Sequence, residues 1–248
     1  MAMLKVLSMV AAVIVWGLVS LTLPPEIFPG PIETARTLWG EIAKGDLWTD
    51  LAMTMLRVVA GLLLALILGV PVGVLMGLNR RAEAVLDVWV MIGLTVPSLC
   101  YAIMAFMWFG LNEGAAIIAI AITAAPSITI NIWEGVKNVD TRLVAMARVF
   151  EATRPAIVRR VLMPQIFPYV MASARFGLGI IWKITVLVEL IGRPNGVGFK
   201  LFYWYQLADM KQVLAWTLLF TIIMLLIELC ILKPIERRVF AWRPQVAV

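Results

Sequence analysis

Of 248 residues, 62% are apolar, the mean hydropathy is +0.97 and the formal net charge is +6. An ordinary soluble domain is nearer half apolar, so the composition excludes a soluble globular protein and points to lipid as the main solvent. There is no histidine, which removes the commonest general base and metal ligand, and Cys100 and Cys230 lack CxxC spacing, so redox-pair and metal chemistry lose their usual residues as well.

The apolar residues fall into blocks long enough to cross a membrane. Val6–Leu23 holds 18 residues without a charge, Val58–Leu78 holds 21, Val88–Asn112 holds 25 and Ala115–Trp133 holds 19. Ile166–Ile191 is apolar but carries Arg175, Lys183 and Glu189, and Val213–Leu232 adds 20 residues with only Glu228 inside. A hydrocarbon core about 30 Å thick needs about 20 helical residues, and backbone polar groups in lipid must be satisfied within the segment. The fold class expected is therefore an all-α integral membrane protein with six transmembrane helices. It reads as a single domain over 1–248, with a first helix at about 3–23, five core helices at about 53–235 and a long loop at about 134–165.

The first block is too long for a signal-peptide core and no A-x-A site follows, so an uncleaved helix is expected. After it, Pro24–Leu56 opens with four prolines and then places Ile32, Ala35, Leu38 and Trp39 at helical spacing, as in a helix lying on the membrane surface. In the second span Gly69, Gly73 and Gly77 recur every four residues, a small-residue face that allows another helix to approach closely. Pro71 lies on the same helix, and Pro97 and Pro126 are expected to break the third and fourth spans.

Basic residues orient the chain. With the N-terminus in the cytoplasm, 13 of the 21 Lys and Arg lie on the inner side, six on the outer side, and Arg175 and Lys183 lie within a span. Both termini are thus expected inside. The positive charge reflects topology and contact with anionic membrane lipid, with no nucleic acid implied.

The segment Glu134–Pro168 is the longest inner loop. Leu143, Met146, Ala147 and Phe150 share one helical face, and a second short helix, Ala156–Leu162, is expected between Pro155 and Pro164. Arg148, Arg154, Arg159 and Arg160 surround these apolar positions. A short helix-turn-helix with apolar knobs and basic neighbours suits docking onto a soluble partner; a plain positive-inside loop is the other reading.

These residues resemble the permease subunits of bacterial binding-protein-dependent ABC importers, in the nitrate, taurine and alkanesulfonate branch. That family's loop runs Glu-Ala-Ala, three residues, Gly, nine residues, Ile, one residue, Leu-Pro. Here Ala145-Met146-Ala147 fills the triplet, Glu151 the glycine, Val161 the isoleucine and Met163-Pro164 the final pair. Gly135–Asp140, Pro168, Leu56-Arg57-Val58 with Gly61, and Asn195-Gly196-Val197-Gly198-Phe199 also match the branch. Ala145 and Glu151 depart from the pattern, and a left-handed turn at 151 would cost a glutamate roughly 1 kcal/mol relative to glycine.

The resemblance implies a type I ABC importer permease fold in the bacterial inner membrane. It implies that Ala147, Arg148, Phe150, Glu151, Ala152, Arg154 and Pro164 contact a cytoplasmic ATPase. Partners implied are a second permease copy in a homodimer, two ATPase subunits, and a periplasmic or lipid-anchored substrate-binding protein. No cofactor is expected on this chain; ATP and Mg would reside on the ATPase subunits, since the sequence has no GxxxxGK[ST] phosphate loop. The function implied is import of a small anionic solute of the sulfonate, nitrate or small carboxylate type.

Candidate path residues are the charges of the fifth span, Lys183, Arg175 and Glu189, with polar Ser98, Tyr101 and Asn131 on the third and fourth; Thr95, Ser127 and Thr129 are further polar positions there. Intramembrane charges mark functional sites by default. Lys183, roughly 12 Å below the outer end of its helix, is the most isolated of the three. It fits either an ion pair with another helix or a contact with an anionic solute, and the polar positions fit either a path or helix-helix hydrogen bonds. Two other classes stay open: an ion-coupled secondary transporter, which would show inverted repeats and acidic midplane residues, and a membrane scaffold or assembly factor, which needs no polar path and in which Lys183 is hard to place.

Overall fold

The computed structural model describes residues 2–45 and 47–234, and among them every regular element is helical. The basic residues Arg237, Arg238 and Arg243 of the inner-side count lie outside the described residues. The elements are α1 (Ala2–Ser20), α2 (Pro31–Lys44), α3 (Leu47–Leu78), α4 (Arg80–Thr95), α5 (Ser98–Phe109), α6 (Glu113–Lys137), α7 (Thr141–Val149), α8 (Arg154–Ile157), α9 (Met163–Gly192), α10 (Val197–Gln206) and α11 (Met210–Ile227). Two π-helical stretches, Val158–Leu162 and Glu228–Leu232, join α8 to α9 and extend α11.

Helix α6 is the centre of the bundle. More than half of its apolar stretch, 56%, is buried inside the protein, against 28% for α3 and 22% for α11. Its inward side is small, with Ala115, Ala116, Ala119, Ala121 and Ala124 buried, so neighbouring helices approach closely. The glycine face of α3 packs here. A Cβ on Gly73 would sit 2.6 Å from the Thr129 carbonyl oxygen and 2.8 Å from Ile132 Cβ, and one on Gly77 would sit 2.5 Å from Val136 Cβ. The Thr129 hydroxyl also lies 3.3 Å from the Gly69 carbonyl. Without a hydrophobic drive between helices in lipid, this close packing is what holds α3 to α6.

All six apolar blocks of the sequence fall largely in helices, but their spans differ. By length and composition α3, α6 and Met210–Ile231 can each cross a membrane. The block Val88–Asn112, expected as one span, is instead a pair, α4 and α5, bent by 93°. Pro97 forces the preceding Val96 into an extended conformation, φ −68°, ψ 124°, and the Tyr101 hydroxyl donates to the Gly93 carbonyl across the bend at 3.0 Å. Pro126 does not break α6: the helix runs on through it. Its ring nests against Gly93, where a Cβ would come within 2.9 Å of Pro126 Cγ, so the bent pair wraps the proline. Helix α9 is 30 residues long but carries three charges, and α1 contributes the shorter apolar run Val6–Ser20.

The expected separate helix Ala156–Leu162 is also corrected. The chain passes from α8 through the π-helical stretch into α9 without a break: Pro155 sits in the first turn, where no N–H is required, and Pro164 lies inside the run, just after the stretch where the Met163 N–H bonds Val158 O five residues back. In α2, Leu38 packs inward with Thr34 and Glu41 beside α11, while Ile32 and Trp39 face outward. Trp182 of α9 stacks on Phe220 of α11 at 3.7 Å and 7°. The bundle thus has two ends: one carries the loop from α7 to the π-helical stretch (the loop end), and the other carries α2, α10 and the start of α3.

Candidate coupling loop and translocation face

At the loop end Asp140 caps α7 by accepting from the Arg142 N–H at 2.8 Å. The helix closes at Phe150, after which Glu151 adopts φ +53°. The Glu151 N–H donates to Arg148 O at 2.9 Å and the Ala152 N–H to Ala147 O at 3.0 Å, the paired bonds that end a helix through a left-handed residue. Glycine is the usual residue there, which accounts physically for the glycine of the resembling loops. Glu151→Gly is therefore expected to slow amide hydrogen exchange at Glu151 and Ala152 by about fivefold, the equivalent of roughly 1 kcal/mol, with Glu151→Ala leaving it unchanged.

Around this turn, Val149 is 80% exposed, Phe150 77% and Met146 53%. Arg148 and Arg154 are exposed beside them, Ala147 and Ala152 are half-buried, and Pro164 lies exposed at the start of α9. Large apolar side chains projecting from a short capped helix, ringed by arginines, form a surface suited to an apolar groove with an acidic rim.

On α9 the buried side consists of Ser173, Gly177, Leu178, Ile181, Trp182, Ile184, Thr185, Val188 and Glu189. The opposite side presents Ala172, Phe176, Gly179 and Lys183, all exposed, at spacings of four, three and four. A Cβ on Gly179 would meet nothing within 4 Å. Lys183 therefore stands on an open stripe, and among the described residues it has no ion pair or side-chain hydrogen bond.

The other intramembrane charges are paired. Arg175 bonds Glu228 of the π-helical stretch after α11. Glu189 is fully buried and accepts from Arg57 Nη1 at 2.6 Å, from the Thr54 hydroxyl at 3.0 Å and from the Gly198 N–H at 2.9 Å. No side chain of Ser98, Tyr101 or Asn131 bonds Lys183 among the described residues. Ser98 begins α5 at the bend, Tyr101 braces the bend and lines an open 300 Å³ cavity with Trp89, Pro126 and Thr129, and Asn131 donates to Ser127 O within its own helix at 3.0 Å.

Glu189 belongs to a larger cluster that the sequence reading did not assemble. Arg57, with no exposed surface, grips Glu113 with Nε and Nη2, each at 2.8 Å, and donates to the Asn195 carbonyl at 3.0 Å as well as to its side chain. Arg193 also bonds Glu113 and donates to Leu111 O at 3.0 Å. Asp50 accepts from the Gly196 N–H at 2.7 Å and lies 3.5 Å from Lys200 Nζ, and the Val197 N–H donates to Thr54 at 2.9 Å. Asp50, Glu113 and Glu189 balance Arg57, Arg193 and Lys200, tying α3, α6, α9 and α10 together at the end opposite the loop. Glycine makes the approach possible. Gly196 has φ +106°, and a Cβ there would sit 2.5 Å from the Glu189 carboxyl carbon; one on Gly198 would meet Val186 O at 2.2 Å. The signal was present in the spacing: Asp50, Thr54, Arg57 and Gly61 fall on one face of α3.

Residues 61–232 match the family of binding-protein-dependent transport system inner membrane components, and the chain belongs to this family. It is a multi-pass transport subunit of the inner membrane; ATP hydrolysis and capture of substrate reside on separate subunits of such importers. The chain is 31% identical over 227 residues to the putative aliphatic sulfonates transport permease protein SsuC of Bacillus subtilis, covering 92% of this chain and 80% of that one. It is 30% identical over 237 residues to the taurine transport system permease protein TauC of Escherichia coli, covering 93% and 86%. The bicarbonate transport system permease protein CmpB of Synechococcus elongatus is 30% identical over 217 residues, covering 82% and 77%. Among solved structures, the inward-facing MetNI methionine ABC transporter matches with a TM-score of 0.71 at 21% identity, over 80% of this chain and 98% of that one, which establishes the fold.

Proposed function

We propose that two copies of this chain form the path of an ATP-driven importer for a small anionic solute, with Lys183 supplying positive potential within the membrane. The observation that carries this reading is the contrast on α9. Arg175 and Glu189 are paired within the chain, whereas Lys183 faces outward from an open stripe with no partner among the described residues. A lysine in lipid at mid-helix costs about 2.5–3.5 kcal/mol, so this face suits a water-filled path shared with a second copy. The relatives named for aliphatic sulfonates and bicarbonate handle anions, and taurine carries a sulfonate, which supports the charge preference.

In this reading the loop end faces the cytoplasm, both termini lie there, and the Thr141–Leu162 region docks on an ATPase subunit that binds ATP and Mg. Arg148, Phe150 and Arg154 would make the contact, with Ala147, Glu151, Ala152 and Pro164 shaping it. The opposite end would receive the substrate-binding protein. Lys183→Met keeps side-chain length and removes the charge. It is expected to lower anion uptake by proteoliposomes about tenfold, the loss of one charge interaction of roughly 1.4 kcal/mol, with the permease-ATPase complex still assembling. Wild-type uptake by an assembled Lys183→Met complex would contradict the assignment.

A further inference from the structure

At the loop end, α3 and the junction of the π-helical stretch with α9 part to leave a cavity of about 660 Å³. Its walls are apolar throughout, with Val70, Val74 and Leu78 on one side and Leu162, Phe167 and Val170 on the other. Val70 and Leu78 are eight residues apart, so the lining extends about 12 Å along α3. Left empty, walls of this extent would forfeit dispersion contacts on one side.

The mouth is basic. Arg80 and Arg81 follow Leu78 within one turn, and Arg159 and Arg160 follow the wall residue Val158; all four are exposed. None of the four has an ion pair with a described residue. An apolar groove with unpaired arginines next to its end residues in the chain suits an aliphatic chain joined to an anionic phosphate. Other occupants fit less well. Helix α1 of a second copy has no acidic residue and brings Lys5, and residues 235–248 carry three arginines against one glutamate, so either would set like charges together.

We propose that this cavity binds an anionic phospholipid, with an acyl chain between α3 and α9 and its phosphate among Arg80, Arg81, Arg159 and Arg160. The site lies against the π-helical stretch that links the coupling loop to α9. A wide turn of this kind is a recurrent place for function-linked movement, and a lipid held there braces it. The inference is independent of Lys183 and of the solute carried.

The test uses the assembled wild-type complex in nanodiscs with phosphatidylcholine in excess over phosphatidylglycerol, plus a trace of either lipid bearing a photoactivatable group on its acyl chain. The phosphatidylglycerol probe is expected to label peptides containing Val70–Leu78 and residues 158–170. Labelling there should fall by about thirtyfold in the Arg159→Gln/Arg160→Gln variant, from the worth of two basic residues at a membrane surface, and to a similar degree with the phosphatidylcholine probe. Equal labelling by both lipids, or labelling spread evenly over α1 and the other outward faces, would overturn the proposal. So would a crosslink from a cysteine at Val74 to a second permease chain. Val74→Trp, which fills the slot, is expected to remove the adduct; if that variant does not assemble, the two-probe comparison on the wild type still decides.

Discussion

Arg57→Met is expected to cut sharply the recovery and thermal stability of folded permease. Arg57 is wholly buried and serves two carboxylates and the Asn195 loop at once. Removing it leaves Glu189 charged and buried with only Thr54 and the Gly198 amide as donors. Breaking a buried pair in this way costs about 3–5 kcal/mol, a large share of the roughly 5–15 kcal/mol that holds a domain folded. Glu113 is less affected, since it is partly exposed and keeps Arg193. The measurement is the yield of monodisperse protein in detergent and its thermal unfolding. The double variant Arg57→Met/Glu189→Gln should recover much of the loss, because the amide at 189 still accepts from Thr54 and Gly198 and no unpaired charge remains. A single variant as stable as the wild type would show that the cluster is not what ties these helix ends together.

Phe150→Ala with Arg154→Ala is expected to separate ATP hydrolysis from transport without unfolding the permease. Phe150 is 77% exposed and Arg154 is exposed too, so the chain loses almost no internal contact. At an interface the same two side chains would be an aromatic anchor and a basic contact, and such residues carry about 2 kcal/mol or more each. Uptake should therefore fall by more than a hundredfold and substrate-stimulated ATPase activity should drop to its basal rate, while membrane insertion and melting temperature stay unchanged. Retained stimulation would move the docking surface elsewhere.

The sequence was legible where one physical rule governs a local stretch. Block length gave the helices, the four-residue repeat of Gly69, Gly73 and Gly77 gave a close-packing face, and the glycine position of the loop gave the left-handed turn now seen at Glu151. It was least legible where two distant segments decide together. Pro97 and Pro126 carry the same local signal, yet the first bends its span by 93° while α6 runs on through the second, whose ring packs on Gly93 of the neighbouring helix. Pro155 and Pro164 read as stops, yet the helix starts at the first and runs on through the second, beside the π-helical stretch. Arg57, Glu113, Arg193 and Asn195 lie at the edges of apolar blocks, where a charge reads as solvated; only the fold brings them onto Glu189. For Lys183 the reading from sequence and the placement on an open stripe concern the same residue, but only the structure separates it from its paired neighbours.

ATP-driven anion import is measured by uptake into proteoliposomes containing this permease, its ATPase subunits and its substrate-binding protein, assayed with a small sulfonate and with bicarbonate. Uptake of at least one such anion is expected to require ATP on the side of the ATPase subunits and the binding protein on the other, and to be insensitive to collapsing ion gradients. Uptake that proceeds without ATP and stops when a proton or sodium gradient is abolished would contradict it.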